Sequence, residues 1–396
     1  MGKIRRALGL MSGTSMDGID IALIETDGEN LVRRVAAGGV AYEPAFRERL
    51  RGALRDAKAI EKRNERPGDL AAVEAELTRR HADAVLKFIG DRMLQPSAID
   101  VIGFHGQTVL HRWEEADIDF AGIEADGAIA HSPVPTQPFR IRRMLTVQIG
   151  DGAALAAATG IDVVHDLRAA DCAAGGQGAP LVPVYHRALA AKVTERPIAF
   201  VNIGGVANIT YINRLESDLV AFDTGPGSAM IDDWMLKRTN SVFDDGGALA
   251  ARGQVREDYV SAYLRHNYFS APVPKSLDRN TFDLGLIDPL PTEDGAATLT
   301  AFTAAAIAKS REYLPDEPRL WVVAGGGRRN RTLMTMLAGH VEGAVVPVEA
   351  LGFDGDSVEA EAWAYLAVRS LEGLPITFPG TTGAPSPMTG GKLSRA

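Results

Sequence analysis

A chain of 396 residues, 46% hydrophobic and 23% charged, can bury a substantial core and suggests two or three domains, which excludes disorder over most of its length. A formal charge of -9 argues against a broad nucleic-acid surface, because phosphate binding needs Lys and Arg in excess along one face. Cys172 is the only cysteine, so neither an intrachain disulfide nor a thiolate metal cluster is expected, and a reducing compartment fits.

The opening MGKIRR and ALGLM look at first like a signal peptide, yet the apolar run stops at Ser12 and Asp17 and Asp20 follow. It reads instead as a first β-strand. No stretch approaches the roughly 18 apolar residues of a membrane span, so a soluble, cytoplasmic protein without a membrane partner is expected. Residues 7–11 and 19–24 are strand candidates joined by SGTSMDG, whose Gly13 and Gly18 permit a tight, hydroxyl-rich turn. Such a hairpin can cradle phosphate oxygens with backbone N–H groups and the hydroxyls of Ser12, Thr14 and Ser15. Asp17 and Asp20 could hold magnesium directly or through water. An ordinary turn with solubilising acids fits the same residues.

A helical stretch follows at about 69–93, then a short strand at 101–104 that ends at His105. Residues 115–143 lack periodicity and carry several prolines, which suggests a long surface insertion. A domain change is expected near 162–178, where Arg168 stands close to a strand end and Gly175, Gly176 and Gly178 flank Gln177 in a constrained ligand or hinge loop. The pattern of the first hairpin then returns: 198–203 and 208–212 are strand-like and flank Gly204 and Gly205, with Asn208 and Thr210 beside them. Two similar hairpins half a chain apart suggest a duplicated α/β architecture able to clamp a polyphosphate from both sides.

In AFDTGPGSAMIDDWM a strand ends at Phe222, Asp223 sits at its tip and Pro226 can begin a helix. A carboxylate there projects into the crevice where α/β folds bind ligands, placed either as a base or as a helix cap. Asp232 and Asp233 read as helix-face carboxylates. An Ala-rich helix at about 295–313 leads to a strand at 320–324 and to Gly325, Gly326 and Gly327, whose missing side chains would admit a base or ribose. Glu359 lies on a helix whose apolar stripe includes Ala362, Trp363 and Leu366. The tail FPGTTGAPSPMTGGKL reads as disordered by composition alone.

Taken in order, GLMSGTSMDGID, FHGQT, TVQIGDG, AAGGQGAPLVP, NIGGVANIT, FDTGPG, PKS with DRNTF, AGGG with RN, and TGAPSP resemble one family over nearly the whole chain. That family is the anhydro-N-acetylmuramic acid kinases, of the sugar kinase, heat-shock chaperone and actin superfamily. The resemblance implies two ribonuclease H-like domains, residues 1–165 and 166–396, enclosing a cleft that binds ATP and magnesium, with an ordered tail returning to the first lobe. It assigns the nucleotide phosphates to Gly13, Thr14, Ser15, Met16, Asp17, Gly18, Ile19 and Asp20, with Gly204 and Gly205 opposite, and the adenosine to Gly325, Gly326 and Asn330. Asp223 matches the family's catalytic base and Glu359 an acidic position at its substrate site. His105, Arg168 and Asp171 are expected to contact the sugar or support those contacts.

The implied reaction opens a 1,6-anhydro sugar with water and phosphorylates the released oxygen, a step of cell-wall recycling. The family's Phe-Arg pair is Leu167–Arg168 here, Ala169 and Ala170 replace polar positions, and Ser228 stands where Asn is usual. The motifs leave open a kinase acting on another sugar or carboxylate, and a non-catalytic ATP-binding regulator, chaperone or filament protein. Oligomeric state, a homodimer included, is not legible.

Overall fold

The computed structural model describes residues 2–13, 16–118 and 139–396. Thr14, Ser15 and the centre of the 115–143 insertion therefore lie outside the described residues.

β1 (Arg5–Ser12), β2 (Gly18–Thr26) and β3 (Val32–Ala41) form an antiparallel meander. β4 (Val101–Ile118) runs parallel to β1 and is paired antiparallel with β5 (Phe139–Ile149), while β6 (Val163–His165) runs parallel to β4. The second sheet repeats this plan. β7 (Ile198–Ile203), β8 (Val206–Ile212) and β9 (Val220–Pro226) form its meander, and β10 (Leu320–Ala324) and β11 (Ala344–Pro347) extend it in parallel from β7. With β5 and a short C-terminal strand set aside, the sheets read β3-β2-β1-β4-β6 and β9-β8-β7-β10-β11, the same connectivity twice. The two hairpins noted in the sequence are the first turn of each repeat.

β12 (Lys392–Ser394) pairs antiparallel with β6, and residues 377 and 388 bridge one another. The tail is thus ordered, against its composition. Backbone pairing and the burial of Ile376, Phe378 and Ala384 supply what a Gly- and Pro-rich stretch lacks in regular periodicity. The flanks of the 115–143 insertion also differ from a structureless loop. They continue β4 and β5 in register, with Arg143 Nε donating to Glu114 Oε1 at 2.7 Å across the pair.

One helix, Val358–Leu371, joins the two halves. It sits on β1 and β4 at Gly9 and Gly103, where a Cβ atom would meet the helix backbone at 1.8 Å and 2.0 Å. Ala362, Trp363, Leu366 and Val368 belong to a single core that includes Ala7 and Val101 of the first sheet and Phe200 and Val322 of the second. The helix is buried along most of its length, so the apolar stripe read from sequence covers only part of what it packs. Its first turn carries Glu359 to the opening between the sheets. Among the described residues, no helix is long and apolar enough to cross a membrane.

Candidate active site

Asp223 lies in the middle of β9, which runs on to Pro226 where a strand end and helix start were expected, the helix beginning only at Ala229. It is held by main-chain contacts from the 275–277 segment. Its N–H donates to Lys275 O at 2.9 Å, and its Oδ2 accepts from the Leu277 N–H at 2.8 Å. Tyr268 Oη donates to the Asp223 carbonyl. Burial pushes the Asp223 carboxyl up to about 7, against the opposing pull of the Leu277 N–H. A carboxylate in that range can take a proton near neutral pH and release it again.

The side chain lines a cavity of about 220 Å³, with Arg168, Asn202, Asn208, Lys275 and Glu359 around it. Arg168 Nη1 donates to Gly178 O at 2.8 Å and Nη2 to His105 Nε2 at 3.2 Å, and the guanidinium lies 5.2 Å from the Trp363 ring centre. Since a guanidinium only donates, His105 Nε2 must accept, which places the imidazole proton on Nδ1. Burial, with the Arg168 charge next, holds His105 well below its usual range and therefore neutral. Its ring rests 4.4 Å from Trp363. Burial also lowers Arg168 to about 10.

Asp171 does not reach this cavity as a ligand-facing group. It is buried, accepts from Gly178 N at 2.6 Å and from Thr382 Oγ1 at 2.7 Å, and so fixes the Gly-rich loop against the tail. Gln177 ties the same loop to Pro274 O at 2.9 Å. Glu359 sits at the cavity mouth, its carboxyl raised by burial and by Asp20, and lowered by Arg168. Asp20, on β2, is itself pushed up to about 6 by burial, then by Asp17 and Asp356. The first hairpin and the helix carrying Glu359 therefore share one electrostatic neighbourhood.

A second cavity, of about 330 Å³, lies on the other side of the β7–β8 turn. Gly204, Gly205, Gly326 and Asn330 line it, together with Asp232 and Phe243. Gly325 has φ 74° and would meet Asn202 Oδ1 at 2.5 Å if it carried a Cβ, so it shapes the turn and is not part of the lining. Asn330 Oδ1 caps the Arg331–His340 helix through Leu333 N at 2.9 Å. Asp232, read from sequence as a helix-face acid, is half-buried and faces this cavity, with burial raising its carboxyl to about 6. Its neighbour Asp233 fits the helix-face reading, being exposed and bound by Arg279 at 2.9 Å.

Within the first hairpin the expected residues divide. Gly13 accepts at its carbonyl from Gln107 Nε2 at 3.2 Å, and Met16 takes φ 53°. Gly18 lies where a Cβ would meet Val40 O at 2.5 Å, so its glycine serves the β2–β3 approach. Ile19 is buried in the first-lobe core. Among the described residues, no group of three His, Cys, Asp or Glu side chains is arranged to hold a metal ion. Lys275, Asn202, Asp232 and Phe243 were not singled out as site residues. PKS was visible as a motif, but the sequence around Lys275 has no periodicity that points it toward Asp223.

Two copies of one sheet connectivity, with a polar cavity beside the second sheet closed by Arg168 and by the helix of Glu359, and a Gly-lined cavity behind the second hairpin, define a two-domain actin-like fold of the sugar kinase class. The family model for Anhydro-N-acetylmuramic acid kinase matches residues 5–126 and 123–395. Relatives bearing that name include one from Agrobacterium fabrum, 50% identical over 402 residues and covering all of both chains, and one from Methylobacterium nodulans, 50% identical over 401 residues and covering 98% of this chain and 100% of its own. Among solved structures, a ligand-bound xylulose kinase from Lactobacillus acidophilus aligns at TM-score 0.46 and 10% identity, covering 98% of this chain and 93% of its own. The chain belongs to the anhydro-N-acetylmuramic acid kinase family.

Proposed function

We propose that this protein uses ATP and water to convert 1,6-anhydro-N-acetylmuramic acid into N-acetylmuramic acid 6-phosphate, in the recycling of peptidoglycan. The observation that carries the reading is Asp223, a cavity-facing carboxyl raised to about 7 by burial, on the strand paired with the second hairpin. Asp223 takes a proton from water as the water oxygen bonds to the anomeric carbon. The bond from that carbon to O6 breaks, and O6 forms a bond to the γ-phosphorus of ATP as ADP leaves. Phosphoryl transfer captures the leaving oxygen, which lessens the need for a separate general acid.

Arg168 and Glu359 hold the sugar from opposite sides of the cavity, with His105 and Asp171 fixing Arg168 and the 175–178 loop. The β7–β8 turn lies between the two cavities, so Gly205 offers its backbone N–H to the terminal phosphates and Gly204 its side-chain-free backbone, the Gly204 N–H itself donating to Val206 O at 3.2 Å. From the first hairpin Gly13, Met16, Asp17 and Asp20 are assigned to the phosphates, while Gly18 and Ile19 serve strand packing, and Gly326, Asn330, Asp232 and Phe243 receive the nucleoside. Asp17 and Asp20 would hold magnesium, which when bound neutralises phosphate charge. Burial first, then Asp17 and Asp356, raise the Asp20 carboxyl, and a cation would relieve the like-charge part of that shift. Residues 1–165 and 166–396 are proposed as the two lobes, the last segment belonging spatially with the first.

A kinase of this fold acting on an ordinary sugar hydroxyl would use Asp223 to deprotonate substrate and would leave no solvent oxygen in the product. Turnover of anhydro-sugar and ATP in labelled water, with mass analysis of the sugar phosphate, tests the assignment.

A further inference from the structure

The segment between Tyr268 and Leu277 lines the Asp223 cavity through residues 274–276 and has no role in the proposed reaction, yet it touches Asp223 three times. Lys275 O accepts the Asp223 N–H, Leu277 N–H donates to Oδ2, and Tyr268 Oη donates to the Asp223 carbonyl. What holds the segment in that shape is the Lys275 side chain. Its Nζ donates to Tyr268 O at 3.1 Å and Phe269 O at 3.4 Å, and it lies 4.2 Å from the Tyr313 ring centre and 4.9 Å from that of Tyr268. Tyr313 Oη closes the arrangement by donating to Phe269 O. A cation chelated by two carbonyls and flanked by two aromatic faces is a local fastener, stronger than a surface contact because the ammonium is partly withdrawn from water.

We propose that Lys275 is a positioning residue for Asp223: its ammonium staples the 268–277 loop so that the Lys275 carbonyl and the Leu277 N–H hold the carboxylate in its cavity-facing orientation. This rests on Asp223 being the base. The Leu277 N–H is the one hydrogen bond that lowers the Asp223 pKa against burial. Loosening the loop removes that donor and drives the carboxyl further up. Of the other charged groups around the cavity besides Lys275, Arg168 keeps its bonds to Gly178 and His105 in the variant, and Glu359 does not touch the 268–277 loop.

The test compares Lys275→Met and Lys275→Arg with the unaltered protein. For K275M the acid limb of kcat/KM moves upward by about half a unit to one unit, KM for ATP stays unchanged, and K275R recovers most of the limb position. Hydrogen exchange read by mass spectrometry adds a readout independent of turnover: in K275M the Leu277 amide exchanges at least about tenfold faster, while amides of β7 and β10 hold. If the acid limb stays put and only the sugar KM rises, Lys275 is a substrate contact and the proposal fails. If Leu277 exchange is unchanged in K275M, the staple does not exist, whatever the activity. Absence of turnover in the unaltered protein would overturn the proposed function and leave the exchange result to decide the staple.

Discussion

Gly9 and Gly103 are direct register partners on β1 and β4, and the helix that carries Glu359 lies across both. The pair forms a flat seat that no other residue type permits, since a methyl group at either would collide with the backbone of Ala360 or Trp363. Position of the helix, and with it the acidic side of the cavity, depends on two hydrogen atoms.

Gly103→Ala is therefore expected to cost about 3 kcal/mol and to lower the melting temperature clearly. Gly339→Ala is the control. That helical glycine has nothing near its absent Cβ, so the substitution leaves stability equal or raises it by up to about 1 kcal/mol. Equal melting temperatures for the two variants would count against the seat.

Asp223→Asn keeps shape and removes the base. Turnover should fall roughly a thousandfold, with ATP affinity by calorimetry within about threefold, because the nucleotide cavity lies beyond the β7–β8 turn. The unaltered protein should show an acid limb in kcat/KM near 7, activity rising with pH as the carboxyl ionises. A limb near 4 would contradict the burial of this group.

The same raised pKa bears on stability, with a definite sign. The folded state binds the Asp223 proton more tightly than the unfolded chain does. Its stabilising contribution is therefore complete below the unperturbed value of 3.8 and lost as pH rises through about 7. Asparagine has no proton to lose. The stability of D223N should gain on that of the unaltered protein between pH 4 and 7, by on the order of 4 kcal/mol at most, taking about 1.4 kcal/mol per pKa unit, and its melting temperature should rise relative to the unaltered protein accordingly. A constant difference across that window would show that the carboxyl is not perturbed.

Asp232 supplies a test of the second cavity. If its carboxylate accepts hydrogen bonds from the nucleotide, Asp232→Asn should raise KM for ATP about tenfold and leave KM for the sugar alone. Because burial lifts this carboxyl to about 6, ATP binding by the unaltered protein should also weaken as pH drops below that value. Equal effects of the substitution on both substrates would assign Asp232 a structural role.

Much of this arrangement was legible because strand and glycine-turn signals are strong around the site, although His105 and Asp223, read as strand-end residues, lie inside β4 and β9. Apolar runs bounded by glycines marked β1, β2, β7, β8 and β10 closely, and their repetition pointed to the duplicated sheet. β3 escaped notice since it is an edge strand with a largely exposed face and two glycines, so its alternation is faint. Asp223, Arg168 and Glu359 meet in one cavity as expected. Asp232 was misread because helical phase reports which face is polar and not which loop folds over it. Lys275 was invisible for a related reason: its importance lies in carbonyls it gathers from its own irregular loop, which no periodicity encodes. In the first hairpin, Gly18 and Ile19 carried two signals at once, and strand packing accounts for both.

The central claim is that water, activated by Asp223, opens the sugar ring as phosphate is transferred. Turnover of 1,6-anhydro-N-acetylmuramic acid with ATP in oxygen-18 water measures it directly. The expected product is a 6-phosphate with one heavy oxygen on the anomeric carbon and none bridging to phosphorus; a 6-phosphate formed with no heavy anomeric oxygen would contradict the account.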